Sequence, residues 1–156
     1  MKLKFSKVLS ICAICLLFLA CSDKPTTPED EIRLYLKKAV EAAENRAHGD
    51  LTDLIDDAYL DPKGVDKSKI STLLRAYFFR HKNIYLFTKI REINLSNDNE
   101  AEVILHVAMA GSVISDVSVL ASLRARMYRF KLQLVKQDEW LLRSANWQHA
   151  NMVDLQ

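Results

Sequence analysis

The chain has 156 residues, with 22 Lys and Arg against 20 Asp and Glu, and a formal net charge of +2. That length suits one domain, and 49% hydrophobic with 27% charged residues is a globular balance that excludes wholesale disorder. Only three Gly and three Pro are present, which excludes collagen-like, linker-like and Gly-rich loop architectures.

The first twenty residues differ in composition from the rest and have the pattern of an export signal. Lys2, Lys4 and Lys7 form a basic stretch without an acid, and residues 8–20 are apolar except for one serine. A helix of that apolar length covers about 20 Å, which is short of the roughly 30 Å hydrocarbon core of a bilayer. A basic start, a short apolar segment and a small residue at its end are typical of a secretory signal peptide.

The end of this segment resembles the lipobox of bacterial lipoproteins. Its sequence is Phe18-Leu19-Ala20-Cys21, with Phe18 in place of the preferred Leu. The alternatives are a plain signal peptide, or an uncleaved anchor with Cys21 there by chance. All three cysteines lie at or before position 21, so cleavage before Cys21 would leave no other thiol in an oxidising compartment. We therefore predict a signal peptide over 1–20, a lipidated Cys21 and a short tether over 21–30.

A lipid anchor on Cys21 would make a membrane the first expected partner. Two or three acyl chains hold a protein stably on a bilayer because each buried CH₂ contributes about 0.8 kcal/mol. By resemblance to enterobacterial sorting rules, Ser22 favours the outer membrane, facing the periplasm. Loss of three Lys on processing leaves 19 basic against 20 acidic residues. Nucleic-acid-binding proteins usually carry an excess of positive charge, which the processed chain does not have, so no nucleic-acid partner is expected.

A first helix is predicted from the capping residue Thr27, with Pro28 at the first helical position. Apolar residues then recur at helical spacing until Gly49, which is predicted to end the run.

Two further helices are predicted before residue 83. Asp50 is a candidate cap for a second, shorter helix whose apolar face reaches Tyr59 and which ends at the turn 61–64. Asp66 is a candidate cap for the third. The apolar side of that third helix is predicted to contain Ile70, Leu73, Leu74, Tyr77, Phe78 and His81.

From residue 83 onward the pattern changes to that of β-strands. Val103, Leu105 and Val107 alternate with less apolar residues, which indicates one apolar sheet face. Strands are predicted over 84–95, 101–111, 124–135 and 140–149, with turns at 96–99 and 136–139. The stretch 112–122 fits either a wide connection or a short additional strand.

Helices followed by an antiparallel meander predict an α+β domain over 31–150, with three N-terminal helices packed on a curved antiparallel sheet. A strongly curved sheet closes into a cone, and the open mouth of a cone is a natural pocket.

This layout resembles the nuclear transport factor 2-like superfamily, also called SnoaL-like or cystatin-like α+β. The resemblance rests on element order and on two segments, Ile70-x-x-Leu73-Leu74-x-x-Tyr77-Phe78 and Trp140-Leu141-Leu142-x-x-Ala145-x-Trp147. The short hairpin that many members carry between helices two and three has no room in residues 60–66. The resemblance implies a cone-shaped fold, and members include isomerases, dehydratases, polyketide cyclases and secretion-system assembly domains.

Four side chains are predicted to line the cone because they suit an apolar ligand with one polar end. They are Tyr77, His106, Tyr128 and Trp147. For His106 the alternative is a hydrogen-bonded residue within the sheet, and for Arg124 and Arg126 a charged edge strand is favoured over an anion site. The predicted core contains Tyr77, Phe78, Leu105, Phe130 and Leu132.

No nucleophile or metal motif is present in the sequence. Residues 22–156 contain no Cys, no Gly-rich phosphate loop and no G-x-S-x-G element, and the four His show no ligand spacing. We therefore expect no cofactor, no metal and no hydrolase activity. The sequence favours a lipid-anchored envelope protein whose domain binds a small apolar ligand or a protein partner. The alternatives are a SnoaL-like isomerase or dehydratase acting on a hydrophobic carbonyl compound, and an envelope assembly factor that forms a homodimer.

Overall fold

The computed structural model describes residues 27–112 and 126–150. In these ranges three helices precede four antiparallel strands that form one sheet, and the helices pack on one side of that sheet. The predicted α+β class is therefore confirmed. Within the described ranges, no helix has the length and apolar character that crossing a bilayer requires.

The first helix, α1, spans Pro28–Glu44. Thr27 caps it as predicted, because the Thr27 hydroxyl oxygen accepts a 3.1 Å hydrogen bond from the backbone N–H of Asp30.

The end of α1 differs from the prediction. Arg46 adopts the left-handed conformation, with a φ of 56°, and the backbone N–H of Ala47 bonds the carbonyl of Ala42 at 2.8 Å. This backbone pattern ends helices, and glycine usually occupies its left-handed position. The predicted stop at Gly49 was wrong because Arg46 takes that position three residues earlier.

The second helix, α2, spans only His48–Asp53, and Asp50 lies inside it instead of capping it. The third helix, α3, spans Lys67–Arg80. Asp66 caps α3 as predicted, since its carboxylate accepts a 2.8 Å hydrogen bond from the backbone N–H of Lys69.

The four strands follow each other in sheet order, and each pairs antiparallel with the next. They are β1 at Tyr85–Asn97, β2 at Glu100–Ala110, β3 at Arg126–Lys136 and β4 at Trp140–His149. The predicted strands agree with these bounds to within two residues. The predicted alternatives for 112–122 fall, from residue 113 on, outside the described residues, as does Arg124.

β-bulges bend the sheet so that its concave face meets the helices. The register of β1 against β2 shifts at Arg91 and again near Leu95, and the register of β4 against β3 shifts at Arg143. Each extra residue increases the local twist and bends its strand.

Residues 54–60, predicted to lie on the second helix, instead form an irregular segment with a turn at 57–58 and one bridge to β4. The backbone N–H of Asp56 bonds the carbonyl of Leu142 at 3.0 Å, and the N–H of Leu142 bonds the carbonyl of Leu54 at 2.9 Å. A single antiparallel bridge between Leu60 and Asp66 then closes the loop before α3. Residues 60–66, predicted to leave no room for a hairpin, therefore contain a single antiparallel bridge.

The most completely buried large apolar side chains lie where α1 begins, and we call this region the closed end. Ile32, Val103 and Leu134 are at most 1% exposed there. Glu31 accepts hydrogen bonds from Lys136 Nζ at 2.6 Å and from Trp140 Nε1 at 2.9 Å. The closed end therefore combines fully buried apolar side chains with a hydrogen-bonded group at its edge. This group, Glu31 with Lys136 and Trp140, is called the clasp below.

Three of the five predicted core residues are buried, namely Phe78, Leu105 and Leu132. Tyr77 and Phe130 are only partly buried. Both lie on the predicted apolar face and line the cavity, as the three buried residues also do.

Candidate functional site

A cavity of about 430 Å³ lies between the helices and the concave face of the sheet. Helix α3 supplies Ile70, Leu74 and Tyr77, and strands β3 and β4 supply Tyr128 and Trp147. Side chains alternate along a strand, so the apolar phase of each strand faces this space.

The described cavity lining is apolar apart from a few hydroxyl and indole groups. No Asp, Glu, His, Lys or Arg is among the described residues that line it. The lining residues that carry a polar group are Thr88, Trp147 and four tyrosines, at positions 35, 59, 77 and 128. A largely apolar lining with few polar groups is typical of sites for small apolar molecules.

An aromatic wall forms the sheet side of the cavity. Phe130 stacks on Trp147 with a ring separation of 6.1 Å, and Tyr128 meets Phe130 edge-on at 6.2 Å. Lys63 Nζ lies 4.9 Å from the Trp147 ring, a cation–π contact. The Trp147 indole is thereby placed between the cavity and a cation of the loop before α3.

Two of the tyrosine hydroxyls have protein partners. Tyr35 Oη donates to the carbonyl of Leu54 at 3.3 Å, and Tyr77 Oη contacts the sulfur of Met109 at 3.8 Å. Burial raises the pKa of Tyr35, with a smaller contribution from the nearby Tyr59. The Tyr35 phenol therefore stays neutral.

The hydroxyl of Tyr59 differs, because it is buried without a hydrogen-bond partner in the described structure. The Tyr59 side chain lines the cavity and is 2% exposed. Burial, followed by the charge of Asp61, raises the pKa of Tyr59 to about 12, and the backbone N–H of Ala145, which lies near the phenol oxygen without meeting hydrogen-bond geometry, partly offsets this rise. Tyr59 thus carries a neutral O–H group that solvent does not reach and that donates to no described acceptor.

Asp61 lies near Tyr59 but does not line the cavity. One carboxylate oxygen accepts 2.8 Å hydrogen bonds from the backbone N–H groups of Lys63 and Val65, which fixes the loop before α3. The other oxygen is buried with no hydrogen-bond partner in the described part of the chain. Asp61 therefore shapes the loop and adds negative charge near the Tyr59 hydroxyl.

Three of the four predicted lining residues, Tyr77, Tyr128 and Trp147, border the cavity. The placement of His106 was wrong. His106 pairs with Lys89 of β1 and Arg129 of β3 on the opposite face of the sheet, because Leu105 and Val107 face the cavity and side chains alternate.

His106 is 6% exposed, and its Nδ1 has no hydrogen-bond partner in the described structure. The alternative prediction of a hydrogen-bonded sheet residue is therefore not met at that nitrogen.

The sequence argument missed Tyr35 and Tyr59. Tyr35 follows Ile32 at helical spacing, so the periodicity of α1 was a usable signal for its inward direction. Tyr59 was predicted on an apolar face, but of a second helix, whereas its actual position depends on contacts of residues 54–60 with β4 far along the chain.

No group of three or more His, Cys, Asp or Glu residues is arranged to hold a metal ion within residues 27–112 and 126–150.

No protein-family model matches the chain, and no curated protein matches it either. Solved structures do match. A cystatin-like domain from Nostoc punctiforme has a TM-score of 0.62 at 13% identity, over 85% of this chain and 83% of that one. A candidate dehydratase of the nuclear transport factor 2-like family from Streptomyces avermitilis has a TM-score of 0.63 at 14% identity, over 81% and 99%.

A third similar structure is Bd1075 from Bdellovibrio bacteriovorus, with a TM-score of 0.63 at 11% identity over 78% of this chain. The chain spans 40% of the length of that protein. At these identities the similarity concerns the fold, and activities do not transfer with a fold. The helices, the bent four-stranded sheet and these structural matches together establish that the described domain has the nuclear transport factor 2-like, cystatin-like α+β fold.

Proposed function

We propose that this chain is a lipid-anchored envelope protein whose domain binds a small apolar molecule that carries one polar group. The observation that carries the proposal is the cavity of about 430 Å³ with no charged side chain among its described lining residues. That volume lies within the roughly 300–1,000 Å³ range of small-molecule sites.

The Tyr59 side chain is proposed to turn its hydroxyl, which solvent does not reach in the described structure, toward the polar group of the ligand and to donate a hydrogen bond to it. A buried hydroxyl without a partner costs about 1–3 kcal/mol, and an acceptor on a ligand would remove that cost. The negative charge of Asp61 near the hydroxyl disfavours an anionic ligand group. The best-fitting ligand therefore has an apolar body and a neutral carbonyl or hydroxyl oxygen.

Tryptophan fluorescence tests this ligand site, because the chain contains two tryptophans in different settings. Trp147 lines the cavity, whereas Trp140 is held at the closed end by its hydrogen bond to Glu31. We expect saturable changes during titration with long-chain alcohols and ketones in the Trp140→Phe variant, which keeps Trp147. The Trp147→Phe variant is the matched control and should not respond. A response confined to Trp147→Phe would place the ligand elsewhere.

The membrane attachment is proposed from the sequence pattern that ends at Cys21. Metabolic labelling with a palmitate analogue should mark the wild-type protein, and Cys21→Ala should abolish the label. Cys15→Ala is the matched control and should keep it. A label that persists in Cys21→Ala would refute lipidation at this residue.

A dehydratase or isomerase is the second candidate, and the closeness of buried Asp61 to Tyr59 is the observation that favours it. An acid and a base positioned at the reacting group are what such a reaction requires. The Asp61 carboxylate, however, does not reach the cavity lining. We expect no turnover of hydrophobic hydroxy-ketones. Turnover that disappears in both Tyr59→Phe and Asp61→Asn would favour the enzyme.

A further inference from the structure

The outer face of α3 and the residue after its cap combine positive charge with exposed apolar side chains. From Lys67 to Lys82 the sequence contains five Lys or Arg and no Asp or Glu. The opposite side of the same helix lines the cavity. The outward side therefore has a composition that cavity formation does not require.

Five exposed residues of α3, together with Lys82 just beyond its end, form a surface that we call the basic face. Residues three and four apart in a helix are neighbours on its surface. The basic face consists of Lys69, Leu73, Arg75, Phe79, Arg80 and Lys82, all of which are exposed.

Two large apolar side chains of the basic face are open to solvent. Phe79 is 87% exposed and Leu73 is 52% exposed. Leu73 also lines the cavity, so it lies at the cavity rim. Arg75 and Phe79 are one turn apart, which places a cation directly beside the most exposed of the large hydrophobic side chains in the described structure.

The positive charges of the basic face are not neutralised by the described protein. Lys67, outside this face, pairs with Asp57 at 2.8 Å. None of Lys69, Arg75, Arg80 or Lys82 forms an ion pair with any described residue. Arg46 adds a further exposed cation, since its guanidinium donates to the carbonyl of Lys82 at 3.2 Å.

We propose that the basic face docks on a bilayer that contains anionic phospholipids. Surface segments with Lys or Arg beside Phe and Leu bind such bilayers, with the apolar side chains entering the headgroup boundary and the cations meeting lipid phosphates. Each basic side chain near an anionic surface raises affinity about fivefold. Docking in this orientation would bring the cavity rim at Leu73 to the lipid surface.

The position of the proposed anchor favours a bilayer over an acidic protein as the occupant. Cys21 precedes Pro28 by seven residues. A chain of that length spans at most about 25 Å when fully extended. The docking proposal thus rests in part on the proposed lipidation, which the palmitate label tests separately.

A lipid-quenching experiment on the full chain tests the basic face. Residues 22–156 contain no Cys, so Phe79→Cys introduces the only labelling site there. Asn99→Cys, in the exposed turn between β1 and β2, is the matched control. Each protein is purified after processing, which on the lipidation proposal removes Cys12 and Cys15 and leaves the Cys21 thiol occupied by lipid, so that the fluorophore marks the introduced thiol before reconstitution through the lipid anchor. The vesicles carry brominated acyl chains and contain phosphatidylcholine, with or without phosphatidylglycerol.

We expect strong quenching at position 79 only in vesicles with phosphatidylglycerol, and none at position 99. Arg75→Glu with Arg80→Glu should reduce the quenched fraction at least fivefold, while Lys37→Glu on α1 should not. Equal quenching on both vesicle types, or a water-accessible probe on both, would overturn the proposal. A fluorescence shift at position 79 without bromine quenching would assign the face to contact between copies of this chain and also overturn it. If the double variant unfolds, the quenching of the position-79 probe in the protein without these two substitutions, compared between the two vesicle types, still tests the proposal.

Discussion

The two ends of the domain are built for different purposes. At the closed end Ile32, Val103 and Leu134 are at most 1% exposed, and Glu31 binds both Lys136 and Trp140. At the cavity the side chains are equally apolar but border open space. The same sheet therefore concentrates stability where α1 begins and leaves room for a ligand between α3 and the strands β3 and β4.

The largest expected effect of this difference is on the free energy of unfolding. Ile32→Ala removes a fully buried side chain and should cost about 2–5 kcal/mol, since the packed closed end cannot collapse into the gap. Leu74→Ala, on the cavity lining, should cost about half as much because part of that side chain already faces open space. Urea unfolding of both variants measures the difference. Equal losses would contradict the division into a packed and an open end.

Tyr59→Phe should separate stability from binding. Removal of a buried hydroxyl that has no partner is expected to leave the free energy of unfolding unchanged or to raise it by up to about 1 kcal/mol. Loss of the proposed hydrogen bond should weaken binding of a ligand with a carbonyl group about 5–10-fold. Tyr35→Phe serves as the control, because its hydroxyl has a protein partner and its loss should destabilise. A clear destabilisation by Tyr59→Phe would show that its hydroxyl is satisfied.

The smallest expected effect is a pH dependence at the closed end. Hydrogen bonds from Lys136 and then Trp140 hold the pKa of Glu31 below its usual value of 4.5. The clasp therefore contributes its full stability above pH 4.5 and loses it as pH falls through the lowered pKa. Glu31→Gln should lower the urea midpoint at neutral pH and flatten its fall below pH 4.5. Parallel pH profiles for the two proteins would refute this role.

Local signals in the sequence predicted most of the fold. The capping side chains of Thr27 and Asp66 set helix starts that short-range hydrogen bonds determine. Strand alternation located all four strands, because a sheet with one apolar face imposes a period of two. The errors arose where distant contacts decide the backbone, as at residues 54–60, which pair with β4 instead of continuing α2.

The candidate site was predicted less completely than the fold. Tyr128 and Trp147 were placed correctly by strand phase, since the bulge at Arg143 precedes Trp147 and leaves its pairing with Phe130 in register. His106 was placed on the wrong face although its neighbours Leu105 and Val107 already marked the apolar one. Its residue type suited a ligand, but the strand period decides the direction of a side chain.

Copurification from native membranes tests the central claim most directly, namely that the cavity holds an apolar molecule. Mass spectrometry of the detergent-extracted wild-type protein should detect one small apolar compound at close to one per chain. Ala43→Phe, which directs a ring into the cavity, should lose the compound, and Ala58→Phe, at an exposed position between α2 and α3, should retain it. A compound retained equally by wild type and Ala43→Phe, or a wild-type protein that carries none, would contradict the account.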